Sequence, residues 1–311
     1  MFPERPTIAV IGAGAVGGYY GARLAQHGHD VHFLFRSDYE QIRRQGLVVR
    51  SCRGDFALPP GTIRAYNEPG AMPQADLVIV ALKATANHLY EPLIRPVLKD
   101  DGAVLTLQNG LGNEERLAEL FGPRRVMGGL CFVCINRVAP AIIHHLDYGL
   151  VCIGEHVEGI SARLRRLAEM FSASNIECRM IESLRRGRWE KLTWNVPFSG
   201  LGAVLDVTTD RIIGSPEGES LAREIIREVL AAARGAGVDL PESIVDERIE
   251  QTRRMVPYKS SMQIDRELGR PMEVEAILGE PLRVAMRAGI STPRMMMLYQ
   301  MAKLLDARGR A

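Results

Sequence analysis

The chain has 311 residues, which sets an expectation of roughly two domains. Hydrophobic residues make up 46% and charged residues 24%, enough apolar material for sizeable cores and too much for a disordered chain. A net charge of +2 carries no footprint of nucleic-acid or membrane binding, and no apolar run approaches the roughly 18 residues that a bilayer span needs.

The first six residues lead directly into a strand-like run rather than a signal-peptide core. Residues 7–11 are apolar and β-branched and predict a first strand. A glycine-rich turn and a helical pattern over 15–27 follow, then a second apolar run at 31–35. Short strands and turns are expected over 47–50 and 56–66, where Pro59, Pro60 and Gly61 punctuate the chain. Residues 77–82 and 104–107 are continuously apolar, as suits strands buried on both faces of a parallel sheet. Between them, 87–98 has helical spacing disturbed by Pro92 and Pro96. Strand-like runs at 126–138 and 142–153, a helix over 160–171 and a last strand at 176–181 complete this part. The alternation predicts a Rossmann-type, doubly wound α/β domain over 1–182.

From about residue 183 helical spacing takes over, at 184–205, 220–236, 244–255, 261–268, 274–288 and 294–305. Gly235, Gly237, Gly269 and Gly289 fit helix ends. An all-helical second domain is therefore expected over 183–311. Met295, Met296, Met297 and Met301 read as core or subunit-interface packing, and a homodimer stays open. The five cysteines (52, 131, 134, 152 and 178) form an odd, scattered set, which argues against a secreted disulfide framework and for a reducing cytoplasm. Cys131 and Cys134 are three apart on a strand and so point to opposite faces, unlike a redox pair or zinc knuckle. His144 and His145 read as structural, and no metal site is expected.

Gly12-Ala13-Gly14-Ala15-Val16-Gly17 matches GxGxxG between a strand and a helix. The first glycine permits the tight turn, the second lets backbone approach a pyrophosphate, and the third lets the helix pack on the sheet. Helix-start N–H groups then face the anion. The second strand ends at Arg36 and Ser37, where an NAD site usually has an acid that accepts from the ribose 2′-hydroxyl. An arginine pairs with a 2′-phosphate instead, so NADP(H) is expected over NAD.

Two further stretches sharpen the reading. They are Arg188-Trp189-Glu190-Lys191-Leu192-Thr193-Trp194-Asn195, and Ser260-Ser261-Met262-Gln263-Ile264-Asp265 followed by Gly269-Arg270-Pro271-Met272-Glu273-Val274-Glu275. With the glycine turn and Gln108-Asn109-Gly110-Leu111-Gly112, they resemble the ketopantoate reductase family (2-dehydropantoate 2-reductases), in order and over nearly the whole chain. The resemblance implies NADPH-dependent reduction of 2-dehydropantoate to pantoate, a step toward pantothenate. It implies Lys191 as general acid and Glu273 as the residue orienting substrate and lysine. It further implies Asn195 and Ser261 on the substrate, Asn109 between cofactor and substrate, and Lys83 near the nicotinamide. Where the family usually carries a second asparagine, this chain has Ser199, which lacks the amide's paired donor and acceptor.

By themselves the residues are compatible with this chemistry and equally with a solvated Lys191 that pairs with a neighbouring acid. Carbonyl reduction needs a hydride and a proton for the developing alkoxide. Lys191, Asn195 and Ser199 are spaced i, i+4, i+8 and share a helix face, apart from a bend expected at Pro197. Only five lysines stand among 34 arginines, and a lysine can give up a proton where an arginine hardly can. Ser260 and Gln263 also read as a capping box, Glu273 as a first-turn acid, and Asn109 as a turn residue. The expected partner is a small 2-keto acid, with no nucleic acid or membrane. A reductase of another keto acid and a non-catalytic NADP-sensing protein are the alternatives.

Overall fold

The computed structural model describes residues 3–157 and 159–308. It forms two compact units. One holds the chain up to Gln108 and again from Asn113 to Leu184; the other holds Asn109–Gly112 and the chain from Arg185 onward.

The first unit is built in the order β1 (Thr7–Ile11), α1 (Ala15–Gln26), β2 (Asp30–Leu34), α2 (Tyr39–Gln45), β3 (Leu47–Ser51), β4 (Phe56–Leu58), β5 (Arg64–Tyr66), β6 (Ala75–Val80), α3 (Tyr90–Ile94) and β7 (Leu98–Thr106). It continues through α4 (Asn113–Phe121), β8 (Val126–Ala139), β9 (Ile142–Glu155), α5 (Ala162–Ala173) and β10 (Cys178–Met180). Strands β5, β2, β1, β6, β7 and β8 lie side by side, each parallel to the next. Strand β9 runs antiparallel to β8 and carries β3 and β10 parallel to it, and β4 closes that edge. Thus β1 sits where the strand order diverges, with β2 on one side and β6 on the other; ligands of such sheets bind beyond the carboxyl ends of the strands at this point.

Burial explains the apolar runs. Ile8, Val10, Leu77 and Ile79 face one core, while Ala9, Ile11, Val78 and Val80 face the other, so both sides of these strands are covered. The helix expected over 87–98 is shorter. A 3-10 turn (Ala84–Leu89) leads into α3, and the chain is already extended at Leu98, which pairs with Ala75 before a bulge. The prolines at 92 and 96 account for the early stop. Helices α2 and α4 span seven and nine residues, too few for their periodicity to stand out. Among the described residues there is no disulfide, no helix long and apolar enough to cross a membrane, and no group of three or more candidate metal ligands. His145 is buried, its ring bonded to Ser51 Oγ at 2.9 Å and to the Asp147 carbonyl at 3.1 Å, and burial holds its pKa down.

The second unit is helical: α6 (Leu184–Trp194), whose first residue belongs to the first unit, then α7 (Gly200–Leu205), α8 (Thr209–Ile213), α9 (Pro216–Gly235), α10 (Ile244–Arg253), α11 (Ser261–Glu267), α12 (Glu280–Arg287) and α13 (Pro293–Arg308). Helix α9 starts as its sequence dictates. Ser215 Oγ accepts from Gly218 N–H at 3.0 Å, Pro216 fills the first turn, and Glu217 and Glu219 face the positive helix end. The methionine run divides. Met295 is buried, Met296 is partly buried against the core, and Met297 and Met301 are exposed.

Two π-helical turns interrupt this unit, at Asn195–Ser199 and Glu275–Gly279. The first contains Pro197. The proline therefore does not break α6 from α7; the chain absorbs the missing N–H by widening one turn. The second is pinned from outside. The Glu275 carboxylate accepts from Arg283 at 2.8 Å, Lys303 at 2.9 Å and the Tyr299 hydroxyl at 3.0 Å. Burial alone would raise this carboxyl, but these donors outweigh it and bring its pKa down to about 2. A folded-state pKa below the ordinary 4.5 gives stability that is present above pH 4.5 and lost as pH falls toward 2. Glu275→Gln is therefore expected to lower stability by about 1 kcal/mol at pH 7, given the half-exposed site. The gap between variant and parent should close between pH 4.5 and 2 in urea titrations. A gap that persists at pH 2 would contradict the ion-pair origin.

Candidate active site

In the first unit, the turn after β1 uses its three glycines for three different reasons. Gly12 has φ +91°, and a Cβ there would lie 2.5 Å from Leu82 N and 2.7 Å from the Ala81 carbonyl carbon. A Cβ on Gly17 would lie 2.5 Å from the Gly12 carbonyl oxygen, so this residue lets α1 close onto the turn. A Cβ on Gly14 would meet nothing within 4 Å and would point into open space. That open space is where a ligand's phosphates could approach backbone. Ala13, Ala15 and Val16 complete the turn and the helix start, whose first N–H groups have no intrahelical partner. No acid stands in the first turn of α1 to compete with an anion. Two more helix glycines went unremarked in the sequence. A Cβ on Gly18 would strike Ile143 and one on Gly21 would strike Phe33, both at 2.5 Å. Each glycine inside a helix costs about 1 kcal/mol against alanine, which was the available signal of close packing.

At the end of β2, Phe35 N–H donates to the Tyr66 carbonyl at 2.8 Å, and Arg36 and Ser37 follow in the open. Arg36 is exposed and makes no hydrogen bond or ion pair with the described residues. The next acid, Asp38, is buried and already occupied. It accepts from Arg137, from Ser37 Oγ at 2.8 Å and from Ala141 N–H at 3.2 Å. Burial pushes this carboxyl up, yet the three donors hold it below the usual range. Asp38 therefore remains an anion neutralised by Arg137, a partner that the sequence reading did not find. Lys83 is exposed at the start of the 3-10 turn beyond β6.

A buried amide network holds the segment that follows β7. The Thr106 and Tyr90 hydroxyls donate to Gln108 Oε1 at 2.8 and 2.5 Å, Gln108 Nε2 donates to Asn87 Oδ1 at 2.8 Å, and Asn87 Nδ2 donates to Asn113 Oδ1 at 2.8 Å. Asn87 thereby bridges Gln108 and Asn113, and the Tyr90 hydroxyl also lies 3.5 Å from Asn113 Oδ1.

In the second unit, Lys191 lies on α6, half-buried, and its Nζ donates to Asn109 Oδ1 at 2.8 Å. Asn195 and Ser199 begin and end the first π turn and are buried. The wide turn rotates Ser199 away from the regular stripe expected for an i, i+4, i+8 series. Ser261 is the first residue of α11, and Ser260 caps that helix, its Oγ accepting from Gln263 N–H at 3.2 Å. The Gln263 amide does not reach back as a full capping box requires; it faces Asp206 and Glu267, at 3.5 Å each. Glu273 is buried, and it sits one step earlier than expected, as the cap of its helix rather than in the first turn, with its carbonyl accepting from Ile277 N–H at 3.1 Å. The first π turn adjoins both α11 and the second π turn, so the elements carrying Asn195, Ser199, Ser261 and the residue after Glu273 are neighbours.

A glycine turn opening a helix at the divergence of a parallel sheet, and a helical unit presenting a lysine paired with an amide, fit a dinucleotide-binding oxidoreductase of two units. Comparison with known proteins narrows the class. A family model described as ketopantoate reductase PanE/ApbA matches residues 8–158, and the model of that family's C-terminal part matches 183–306. The chain is 44% identical over 307 residues to a 2-dehydropantoate 2-reductase of Nostoc sp., covering 97% of this chain and 96% of the relative. Its fold is similar to the crystal structure of 2-dehydropantoate 2-reductase from Geobacter metallireducens, with TM-score 0.93, 46% identity, and 96% and 99% of the two chains covered. The corresponding enzyme from Methylococcus capsulatus gives TM-score 0.89, 34% identity and 98% coverage of both chains. The chain belongs to the ketopantoate reductase PanE/ApbA family.

Proposed function

We propose that this protein reduces 2-dehydropantoate to pantoate with NADPH, and that Lys191 donates the proton. The observation that carries the reading is the Lys191–Asn109 hydrogen bond at 2.8 Å, which fixes an ammonium on a half-buried helix face beside the buried amide of Asn195. Bound NADPH supplies the hydride. The turn residues Gly12 to Gly17 would hold its pyrophosphate, Arg36 its 2′-phosphate, and Lys83 and Asn109 its nicotinamide end. Lys191 protonates the alkoxide that develops at C2, which removes the need to leave that charge bare. Glu273 orients the lysine, while Asn195 and Ser261 bind the substrate's oxygens. The test is NADPH oxidation with 2-dehydropantoate, run beside NADH; no oxidation with any branched 2-keto acid would end this reading.

Arg36 carries the cofactor preference, because it is exposed and unengaged while Asp38 is neutralised by Arg137. Losing a charge-assisted hydrogen bond costs about 1.5–3 kcal/mol. Arg36→Ala is thus expected to raise the KM for NADPH roughly ten- to a hundredfold, with the KM for NADH changed less than about threefold. Equal losses with both cofactors would show that Arg36 does not read the 2′-phosphate.

Ser199 favours a second reading of the substrate. It is buried in the π turn where the family usually has an asparagine, so one paired donor and acceptor are missing. A related 2-keto acid with one fewer polar group would then be the better substrate. Comparing kcat/KM over a panel of branched 2-keto acids separates the two.

A further inference from the structure

Residues Asn109–Gly112 leave the first unit for four positions and pack with the helical one. Three contacts hold this strap. Leu111 packs against the helical core. Its N–H donates to the Ala276 carbonyl at 2.9 Å. Gly110 lies flat on the same peptide: a Cβ there would fall 2.3 Å from the Ala276 oxygen and 2.4 Å from its carbonyl carbon, and φ is +88°. Ala276 belongs to the second π turn. Within this turn the Glu280 N–H bonds to the Glu275 carbonyl and Pro281 has no N–H, so the helix itself offers the Ala276 carbonyl no donor. Here the carbonyl of Ala276 meets Leu111 N–H. One residue before this clamp, Asn109 accepts from Lys191.

We infer that the π turn at Glu275–Gly279 is a positioning device for the proton donor: its Ala276 carbonyl clamps Gly110 and Leu111, and the clamp sets Asn109 against Lys191. Gly110 and Ala276 are positioning residues, since neither need touch the substrate. The inference rests on Lys191 being the donor. An ammonium that loses a fixed acceptor holds its proton less firmly. Catalysis by a protonated lysine would then fail at a lower pH.

The test is a set of kinetic pH profiles on the full chain. Gly110→Ala brings a Cβ into the Ala276 peptide and is expected to lower kcat at least tenfold, with KM for 2-dehydropantoate changed less than threefold. The alkaline limb of its kcat profile should move to lower pH. Gly112→Ala is the control: its φ is +85°, but the nearest atom to a Cβ is the flexible Glu280 Cγ at 3.4 Å. That variant should lose stability and keep the parent profile. Leu111→Ala adds no collision, and should move kcat and the alkaline limb in the same direction by about threefold, so the idea stays testable if Gly110→Ala folds poorly. In an Asn109→Ala background, Gly110→Ala or Leu111→Ala should add less than a further twofold, because both act through that amide. Independent, additive losses or an unshifted alkaline limb would overturn the clamp. Near-normal turnover in Lys191→Ala would remove the donor itself and the clamp with it, whereas an inactive Lys191→Ala beside additive losses would overturn the clamp alone.

Discussion

Lys191→Ala is expected to lower kcat for 2-dehydropantoate by about a hundred- to ten-thousandfold, the usual contribution of a positioned general acid. The physical reason is the proposed proton transfer: the ammonium that would meet the developing alkoxide is the one held by the Asn109 amide at 2.8 Å. Binding of NADPH, whose phosphates the glycine turn and Arg36 of the first unit would hold, should change little, and fluorescence titration of the variant checks this. Lys191→Arg is not a conservative rescue. Its guanidinium keeps the charge but does not give up a proton near neutral pH, so its rate should stay near that of Lys191→Ala. Turnover within a few-fold of the parent in either variant would sink the role assigned to this lysine.

The second large effect separates two glycines of one turn. Gly12→Ala is expected to destabilise the protein without any ligand present. Its Cβ would meet backbone at 2.5 Å, and its φ of +91° disfavours any side chain by about 1–2 kcal/mol before that collision is counted. Gly14→Ala should leave the melting temperature of the ligand-free protein within a degree or two, because its Cβ meets no atom within 4 Å. It should nonetheless raise the Kd for NADPH tenfold or more, since that Cβ would occupy the approach path of the phosphates. Thermal melts with and without NADPH read both variants. A ligand-free melt lowered equally in the two would show that Gly14 is there for folding and not for a ligand.

The glycine turn was legible because its constraints are local: a strand, a positive φ and a helix start lie within a few residues. The motif lysine was legible because its neighbours in sequence carry the resemblance. What escaped the reading depends on distant partners or on a changed period. The Asp38–Arg137 pair joins β8 to the loop after β2, and nothing near either residue announces it. The two π turns add a residue to a helical turn, and a pattern judged at 3.6 residues per turn cannot register that. The 109–112 segment read as a turn, because asparagine and glycine favour turns; its packing partner, Ala276, is an unremarkable alanine until its carbonyl is seen facing Leu111 N–H.

The amide network gives this segment an exact length. Surface connections ordinarily absorb insertions and deletions with little penalty. Here Gln108 and Asn113 are both tied through Asn87, so the two ends cannot slide apart, and four residues must fit between them. One added residue would have to bulge out at the Asn109 amide or lift Leu111 from its apolar seat; one removed would pull both away. Changes of length are thus expected to be excluded from this stretch even where changes of residue are allowed. An engineered library that varies loop length across the chain should return active members with altered β3–β4 connections and none with an altered 109–112.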